Sequence, residues 1–310
     1  MPFFDVTCES EAIGAELVRF ALERFGPEGL EADRFALTIL PFARPLAPET
    51  AADRPAGFAY RGDAPFYPCS VVKVFYLAAA QARLEEGALA AHDELDRAMC
   101  DMIRWSSNTA TNYIIDLVTG TTGDTLLDEA EMRGWVERRQ WVNRYFHGLG
   151  WPEAAGINVC QKLMDDDRYG REKTFVRMGG NNHNRLTTDA AARIFYAIFA
   201  GRLVSLERSR IMAGMLERPL ADREFLANPA SQIRGYFGAG LPDGARLWSK
   251  AGLTGWTGDA DASYRRHDAA YIEFAGGRAL ILAASTQARA MSESETVLPA
   301  IARKAVELVA

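Results

Sequence analysis

Between Val71 and Ala80 the chain runs VVKVFYLAAA, ten residues in which Lys73 is the single charged group. A helix that is apolar on every face is stable only where neighbours cover all of it, so this segment predicts a central helix with protein on each side. Pro68 just upstream marks its start. Such a helix needs a large core around it, and 310 residues with 48% apolar side chains supply one, as one large domain or two lobes. A lysine in that helix is notable, because lysine is seldom fully buried without a partner or a task.

Periodicity arranges the other elements around it. Arg34 to Phe42 (RFALTILPF) reads as a strand, and a second falls near Gly57 to Arg61 after a loop rich in Pro and Ala. Asp93 to Val118 is helical in pattern, with Asp93 and Glu94 in the first turn and Gly120 as the stop. The stretch from Thr121 to Asn184 begins helical, from Leu126 to Phe146, and becomes irregular between Trp151 and Asn184, a length of loop usually kept for function. Thr187 or Thr188 caps a helix that continues to Phe199, and another covers Leu206 to Leu216. Three strands follow, Arg246 to Gly252, Ala269 to Phe274 and Arg278 to Ala284, the last two joined across Gly276-Gly277 as a hairpin. A helix from Val297 to Val309, with Pro299 in its first turn, closes the chain.

Strands at both ends with helices between them predict an α/β (α+β) fold: an antiparallel sheet flanked by helices and completed from both termini, plus an inserted all-helical lobe. The expected division, within one unit of residues 1–310, is an α/β lobe of residues 1–85 and 202–310 and a helical lobe of residues 86–201. A ligand cleft is expected between them.

The net charge of -6, with no long basic run, argues against nucleic acid or an anionic membrane surface as partner, and no apolar run reaches membrane-spanning length. The first residues carry Asp5, Glu9, Glu11 and Glu16 and lack the basic start and apolar stretch of a secretory signal. As written, the chain is expected in the cytoplasm, unless a leader has been removed. Cys8, Cys69, Cys100 and Cys160 are scattered without a C-x-x-C pair, and His92, His147, His183 and His267 stand apart from them and from one another. Reduced thiols are expected, and neither a metal nor an organic cofactor. The expected partner is a small molecule, and the expected assembly a monomer or small homo-oligomer.

Three short motifs carry chemistry. Ser70 and Lys73, three apart at the start of the buried helix, lie on one face, so the amine can reach the hydroxyl and, with its pKa lowered by burial, take its proton. Free N-H groups at that helix start favour developing negative charge. Alone, S-x-x-K arises by chance at roughly one serine in twenty; its setting in a buried helix gives it weight. The second is Trp105-Ser106-Ser107-Asn108, inside MIRWSSNTATNYII. Serine and asparagine are costly inside helices, so these residues mark either a functional site or a helix-helix corner capped by Ser106 and Asn108. The third is Trp248-Ser249-Lys250-Ala251-Gly252-Leu253-Thr254-Gly255, where lysine beside glycine on a strand lets a substrate backbone approach a cation. Turns and a strand edge account for the same residues.

In this order, S-x-x-K on a helix, S-x-N, and K-x-G on a strand near the C-terminus resemble the signature set of class A β-lactamases and penicillin-binding proteins. The resemblance runs the length of the chain and includes Asn184-Arg185-Leu186-Thr187-Thr188 before a helix and the Gly276-Gly277 hairpin. It implies that Ser70 attacks an amide carbonyl, that Lys73 takes its proton directly or through a neighbour, and that Ser106 relays a proton to the leaving nitrogen. It further implies that Asn108 holds the substrate's side-chain amide, that Lys250 organises Ser106 and the substrate's acidic group, and that the N-H groups of Ser70 and Leu253, beside Gly252, form an oxyanion hole. Trp105, Thr254 and Trp256 neighbour these motifs as pocket residues, although tryptophans so placed are more often packing residues.

The chain departs from the family pattern in places. Ser107 stands where the lactamases have Asp, and Ala251 where K-T-G has Thr, removing a hydroxyl that helps recognise the carboxylate of a β-lactam; Thr254, Arg265 and Arg266 are the candidates to replace it. For the loop glutamate that activates the deacylating water, Glu172 lies at about the right distance before Thr187, but Val176 occupies the asparagine position four residues on, and Asp165, Asp166 and Asp167 compete for the role. Solvated loop charges explain all four acids equally. The leading expectation is therefore a serine hydrolase that cleaves a small cytosolic amide or ester, or a peptide-like compound, through a Ser70 acyl-enzyme. A true β-lactamase, and a slowly acylated penicillin-binding or sensor protein, are the alternatives.

Overall fold

The computed structural model describes residues 2–163 and 168–310. Six antiparallel strands form one sheet in the order β2-β1-β6-β5-β4-β3: β1 (Phe35–Phe42), β2 (Phe58–Tyr60), β3 (Glu217–Arg218), β4 (Arg246–Thr254), β5 (Arg265–Phe274) and β6 (Arg278–Gln287). The sheet is completed from both ends of the chain, as the sequence predicts. Gly276 and Gly277 turn the last hairpin with φ of 84° and 72°, a left-handed conformation that side chains resist. Strands β4, β5 and β6 run further than their apolar stretches, because Arg265, Arg266, His267 and Asp268 are all buried in β5.

Two helices cover one face of the sheet. In α1 (Cys8–Phe25), Ile13, Leu17, Ala21 and Phe25 repeat at helical spacing and pack with Leu298, Ile301 and Ala305 of α12 (Val297–Val309) over Leu37, Ile272, Leu280 and Leu282. Each of these Leu, Ile and Phe side chains contributes about 1.5–3 kcal/mol by leaving water. The sequence reading leaves α1 out, although Thr7 and Ser10 form a capping box at its start.

On the other face lies α8 (Thr188–Phe199), capped by Thr187 and packed on β1, β5 and β6, so this helix belongs with the sheet although the expected boundary placed it in the helical lobe. Beyond it stands α2 (Lys73–Glu85), with every residue from Lys73 to Ala82 buried against the helices Asp93–Arg104, Asn108–Thr119, Trp141–Gly148 and Leu206–Leu216. This is the covered helix that the apolar run predicts. It begins two residues later than the run, because Cys69–Val72 form a 3₁₀ turn.

The single helix expected from Asp93 to Val118 is two, α3 (Asp93–Arg104) and α4 (Asn108–Thr119), broken at Trp105–Ser107. The Leu126 to Phe146 segment is also divided, into α5 (Glu129–Arg139) and α6 (Trp141–Gly148), and the stretch expected to be irregular holds α7 (Gly170–Arg177). The rest of the helices are α9 (Leu206–Leu216), α10 (Arg223–Ala227) and α11 (Arg289–Glu293).

Candidate active site

β3 pairs only with Leu247 and Trp248, so from Ser249 onward the outer edge of β4 faces the 3₁₀ turn that carries Ser70 and the corner between α3 and α4. The approach is close. A β-carbon on Gly252 would stand 2.8 Å from the Ser70 amide nitrogen and 2.9 Å from the Pro68 carbonyl oxygen, so this position admits only glycine as the backbone lies.

Cys69 and Ser106 hold left-handed backbone, with φ of 50° and 58°, at a cost of about 1–2 kcal/mol each that the surroundings must offset. Around Cys69 the fastening is visible. The buried His267 accepts from the Thr286 amide at Nδ1 (3.2 Å), which leaves Nε2 to donate to the Tyr67 carbonyl at 2.9 Å. Burial pushes the His267 pKa down to about 3, so the ring stays neutral and the tautomer is fixed. The Cys69 thiol lies 3.7 Å from the Thr254 hydroxyl, and burial raises its pKa to about 12, which makes it inert.

Ser106 is the centre of the polar cluster. Lys250 Nζ donates to its hydroxyl at 3.0 Å, and Lys73 Nζ lies 3.2 Å from the same oxygen. Lys73 also donates to the Ser106 carbonyl (2.5 Å) and to Asn108 Oδ1 (2.8 Å). Ser70 and Lys73 are three apart on the turn, a spacing that eclipses side chains in 3₁₀ geometry, yet the described contacts of the amine are to Ser106 and Asn108 and not to Ser70 Oγ. Lys250 is fully buried, and its other two donors go to Gln232 Oε1 (2.5 Å) and the Ala251 carbonyl (2.9 Å). Burial, then the Lys73 and Arg218 charges, lower its pKa well below the usual lysine value.

Three neighbours of this cluster escape the sequence reading. Arg218 on β3 is 2% exposed and donates to the Ser249 carbonyl (2.8 and 3.2 Å) and to the carbonyls of Ile103 and Arg104 (2.9 Å each). It therefore ties the end of α3, two residues before Ser106, to the strand residue beside Lys250. Asp268 pairs with Ala251 across β4 and β5, accepts from the Phe237 amide at 3.0 Å through Oδ2, and leaves Oδ1 buried without a hydrogen-bond partner among the described residues. Burial raises its pKa to about 7, against the Phe237 hydrogen bond and the Arg218 and Lys250 charges. Gln232, with φ of 56°, is the third.

The corner is the expected break between two helices, but its cap is not the expected Ser106 or Asn108. Ser107, in the middle of S-x-N, is the N-cap of α4 and accepts from the Ala110 amide at 3.1 Å, while Ser106 bridges the lysines. Trp105 packs on Phe225 with ring centres 5.4 Å apart, and the Trp256 side chain is largely exposed. Leu253 is partly exposed beside Gly252, and the Thr254 hydroxyl donates to the Ala262 carbonyl at 2.7 Å. Arg266 is engaged with the carbonyls of Gly235 and Ser292, and Arg265 with those of Asp261 and Ser263. The side chains put forward to replace the missing Ala251 hydroxyl thus hold backbone carbonyls.

Glu172 is not brought to the Ser106 cluster. It lies on α7, 2% exposed, and both its oxygens accept from the fully buried Arg139, at 2.6 and 3.0 Å. Arg139 also donates to the Thr121 hydroxyl, and beside this pair Lys162 bonds Asp116 at 2.6 Å. Val176 is on the same helix. Asp165, Asp166 and Asp167 lie outside the described residues.

The model of the "Beta-lactamase enzyme family" matches residues 95–309, a span that holds Ser106 and Lys250 but starts after Ser70 and Lys73. Among solved structures, a beta-lactamase from Sphaerobacter thermophilus is 22% identical, with a TM-score of 0.60 over 96% of this chain and 97% of that one. A beta-lactamase from Chitinophaga pinensis is 14% identical, with a TM-score of 0.63 over 93% and 97%. PBP-A is 15% identical, with a TM-score of 0.61 over 99% and 98%. At these identities the likeness is one of fold. No curated protein matches the chain.

Proposed function

The chain belongs to the beta-lactamase enzyme family, and from that premise we propose that it is a serine hydrolase that opens an amide or ester bond through an acyl-enzyme on Ser70. The observation that carries this reading is the Ser106 hydroxyl shared by Lys73 and Lys250. Burial, then the Lys73 and Arg218 charges, hold the Lys250 pKa well below the usual lysine value, and the Ser106 hydroxyl links that amine to Lys73. As Ser70 Oγ attacks the carbonyl, its proton passes to Lys73, directly or by way of Ser106. The 3.2 Å contact between Lys73 and Ser106 then offers the return path, from the amine through the hydroxyl to the leaving nitrogen or oxygen.

The oxyanion of the tetrahedral intermediate would lie between the amides of Ser70 and Leu253, a reading supported by the close approach of Gly252, the residue before Leu253, to the Ser70 amide. Such donors are each worth roughly two to three orders of magnitude in rate. With Glu172 committed to Arg139, the deacylating water falls to one of Asp165, Asp166 and Asp167 or, if none of them serves, to Lys73 with Ser106. The substrate we favour is a small cytoplasmic amide, ester or peptide-like compound, since Ala251 lacks a hydroxyl and the nearby arginines are engaged. A β-lactam is the second reading, favoured by the family match.

Intact-protein mass spectrometry after brief mixing with a penicillin, a chromogenic cephalosporin and a p-nitrophenyl ester, beside Ser70→Ala, separates these. Ester turnover with inert β-lactams supports the amide or ester hydrolase, and β-lactam turnover through a transient Ser70 adduct makes the protein a β-lactamase. An adduct that never turns over indicates a penicillin-binding or sensor protein, and labelling that survives in Ser70→Ala overturns the nucleophile.

A further inference from the structure

Between the end of α1, the first turns of α12 and the segment 234–239 lies a cavity of about 570 Å³, on the α1 and α12 side of the sheet. Part of its lining is apolar. Phe25 and Pro299 are buried, Phe20 and Ala300 are half-buried, and the two phenyl rings meet edge to face with centres 6.4 Å apart. The rest is cationic: Arg24, Arg234 and Arg303 line the same space, against the single carboxylate of Glu295. In a chain whose net charge is -6, three arginines around one cavity run against the composition.

These arginines are only partly engaged. Arg24 meets Glu28 at 2.5 Å and stands over the Phe25 ring at 4.9 Å. Arg234 donates from Nε to Glu295 at 2.7 Å, which leaves its two terminal nitrogens without a partner among the described residues. Arg303 has neither an ion pair nor a hydrogen bond among them. The backbone around the cavity, by contrast, is closely seated. A β-carbon on Gly240, at the end of the 3₁₀ turn Phe237–Gly240, would stand 1.9 Å from the Pro299 carbonyl oxygen. One on Gly235, whose φ is 78°, would stand 3.2 Å from the Glu295 α-carbon, and the Gly235 carbonyl accepts from Arg266 at 3.2 Å. A cavity between elements packed in this way exists before a ligand arrives, so little ordering has to accompany binding.

We propose that this cavity binds a small aromatic acid, with its ring against Phe20, Phe25 and Pro299 and its carboxylate or phosphate held by Arg234 and Arg303. A guanidinium presents paired N-H donors that match the oxygens of an acid. An apolar lining by itself would take a neutral ring, and exposed arginines by themselves are satisfied by water; joined in one concave space they select a ring and an acid in one molecule. Like charge excludes an ammonium or guanidinium compound. The volume lies within the roughly 300–1,000 Å³ of small-molecule sites, too little for a folded partner. The inference stands apart from the hydrolase reading, because no residue of the Ser106 cluster lines the cavity.

Isothermal titration calorimetry with 2-naphthoate, 2-naphthyl phosphate and the neutral 2-naphthalenemethanol tests it on wild type, on the double variant Arg234→Gln/Arg303→Gln, and on Ala239→Phe, which places a ring in the cavity. All three positions are exposed, so the variants should fold as wild type does. The expected result is that at least one of the two acids binds wild type about tenfold or more tightly than the alcohol, and that both variants weaken it by about tenfold or more. The tighter of the two acids then identifies the head group. Acids that bind wild type no better than the alcohol, or not at all, overturn the proposal. So does an affinity that survives in the double variant, which would place the acid elsewhere on the protein or leave the arginines without a part in holding it.

Discussion

Gly252 leaves no room for a β-carbon against Ser70: the atom would stand 2.8 Å from the Ser70 amide nitrogen. The obstacle is backbone and not a flexible side-chain tip, so Gly252→Ala must move β4 or the 3₁₀ turn by some tenths of an ångström. Acylation of Ser70 should slow by about a hundredfold or more, the scale of losing one oxyanion donor, while the protein remains folded. Stopped-flow labelling with a p-nitrophenyl ester, alongside circular dichroism, checks both halves, and a variant that acylates at the wild-type rate would remove the Ser70 and Leu253 amides from the mechanism.

Arg218 joins α3 to β4 through the carbonyls of Ile103, Arg104 and Ser249. Arg218→Met leaves these buried acceptors without a donor, at about 1–3 kcal/mol each before water or relaxation intervenes. It should therefore lower the melting temperature and also widen the gap between Ser106 and Lys250. Arg218→Lys, with one ammonium in place of the planar fork, should restore stability more fully than acylation rate. Equal recovery of both would show that the arginine supports the fold without positioning Ser106.

His267 and Asp268 are adjacent on β5 and titrate in opposite senses. His267 is held neutral down to about pH 3, against 6.5 for the free side chain, so its contribution to stability is present above pH 6.5 and lost as pH falls towards 3. Asp268 is held protonated up to about pH 7, against 3.8, so its contribution is present below pH 3.8 and lost as pH rises through 7. Between about pH 4 and 6.5 each contributes a slope of about 1.4 kcal/mol per pH unit, and the slopes cancel. Relative to wild type, Asp268→Asn should lose about that much stability for each unit of acidification in this window, and His267→Gln should gain it. Urea unfolding at pH 4.5, 5.5 and 6.5 measures the difference, and a difference independent of pH would show that neither group titrates as its burial requires.

Removing one partner from the buried Glu172–Arg139 pair strands the other charge. Glu172→Gln should cost about 3 kcal/mol or more, and adding Arg139→Met should recover most of it. Deacylation per folded molecule should change little. If Glu172→Gln instead stays stable and accumulates the Ser70 acyl-enzyme, Glu172 is the base that activates water.

What the sequence discloses here is what neighbours along the chain determine. Thr187 and Ser205 cap α8 and α9, whose ends follow their apolar periodicity closely, and Val71 to Ala80 could only be a covered helix. The break at Trp105–Ser107 showed as an excess of serine and asparagine, but nothing local separates the capping residue, Ser107, from the bridging one, Ser106. Arg218, Gln232 and Asp268 were illegible because each meets the site through segments far away in sequence. Arg265-Arg266-His267-Asp268 looks like a solvated run, and it is buried only because each side chain finds its partner on another element.

Strand β1 ends at Phe42, and along its whole length it pairs with β6, which begins at Arg278. During synthesis, at about 5–20 residues per second, the first strand must wait on the order of ten seconds or more for the partner that covers its long edge. Throughout that interval its row of unpaired amides and carbonyls, set among Leu37, Ile39 and Leu40, is a template for any other extended chain. The nascent protein is thus expected to need chaperone protection, and its yield on expression to depend on the rate at which the ribosome reaches the last hairpin.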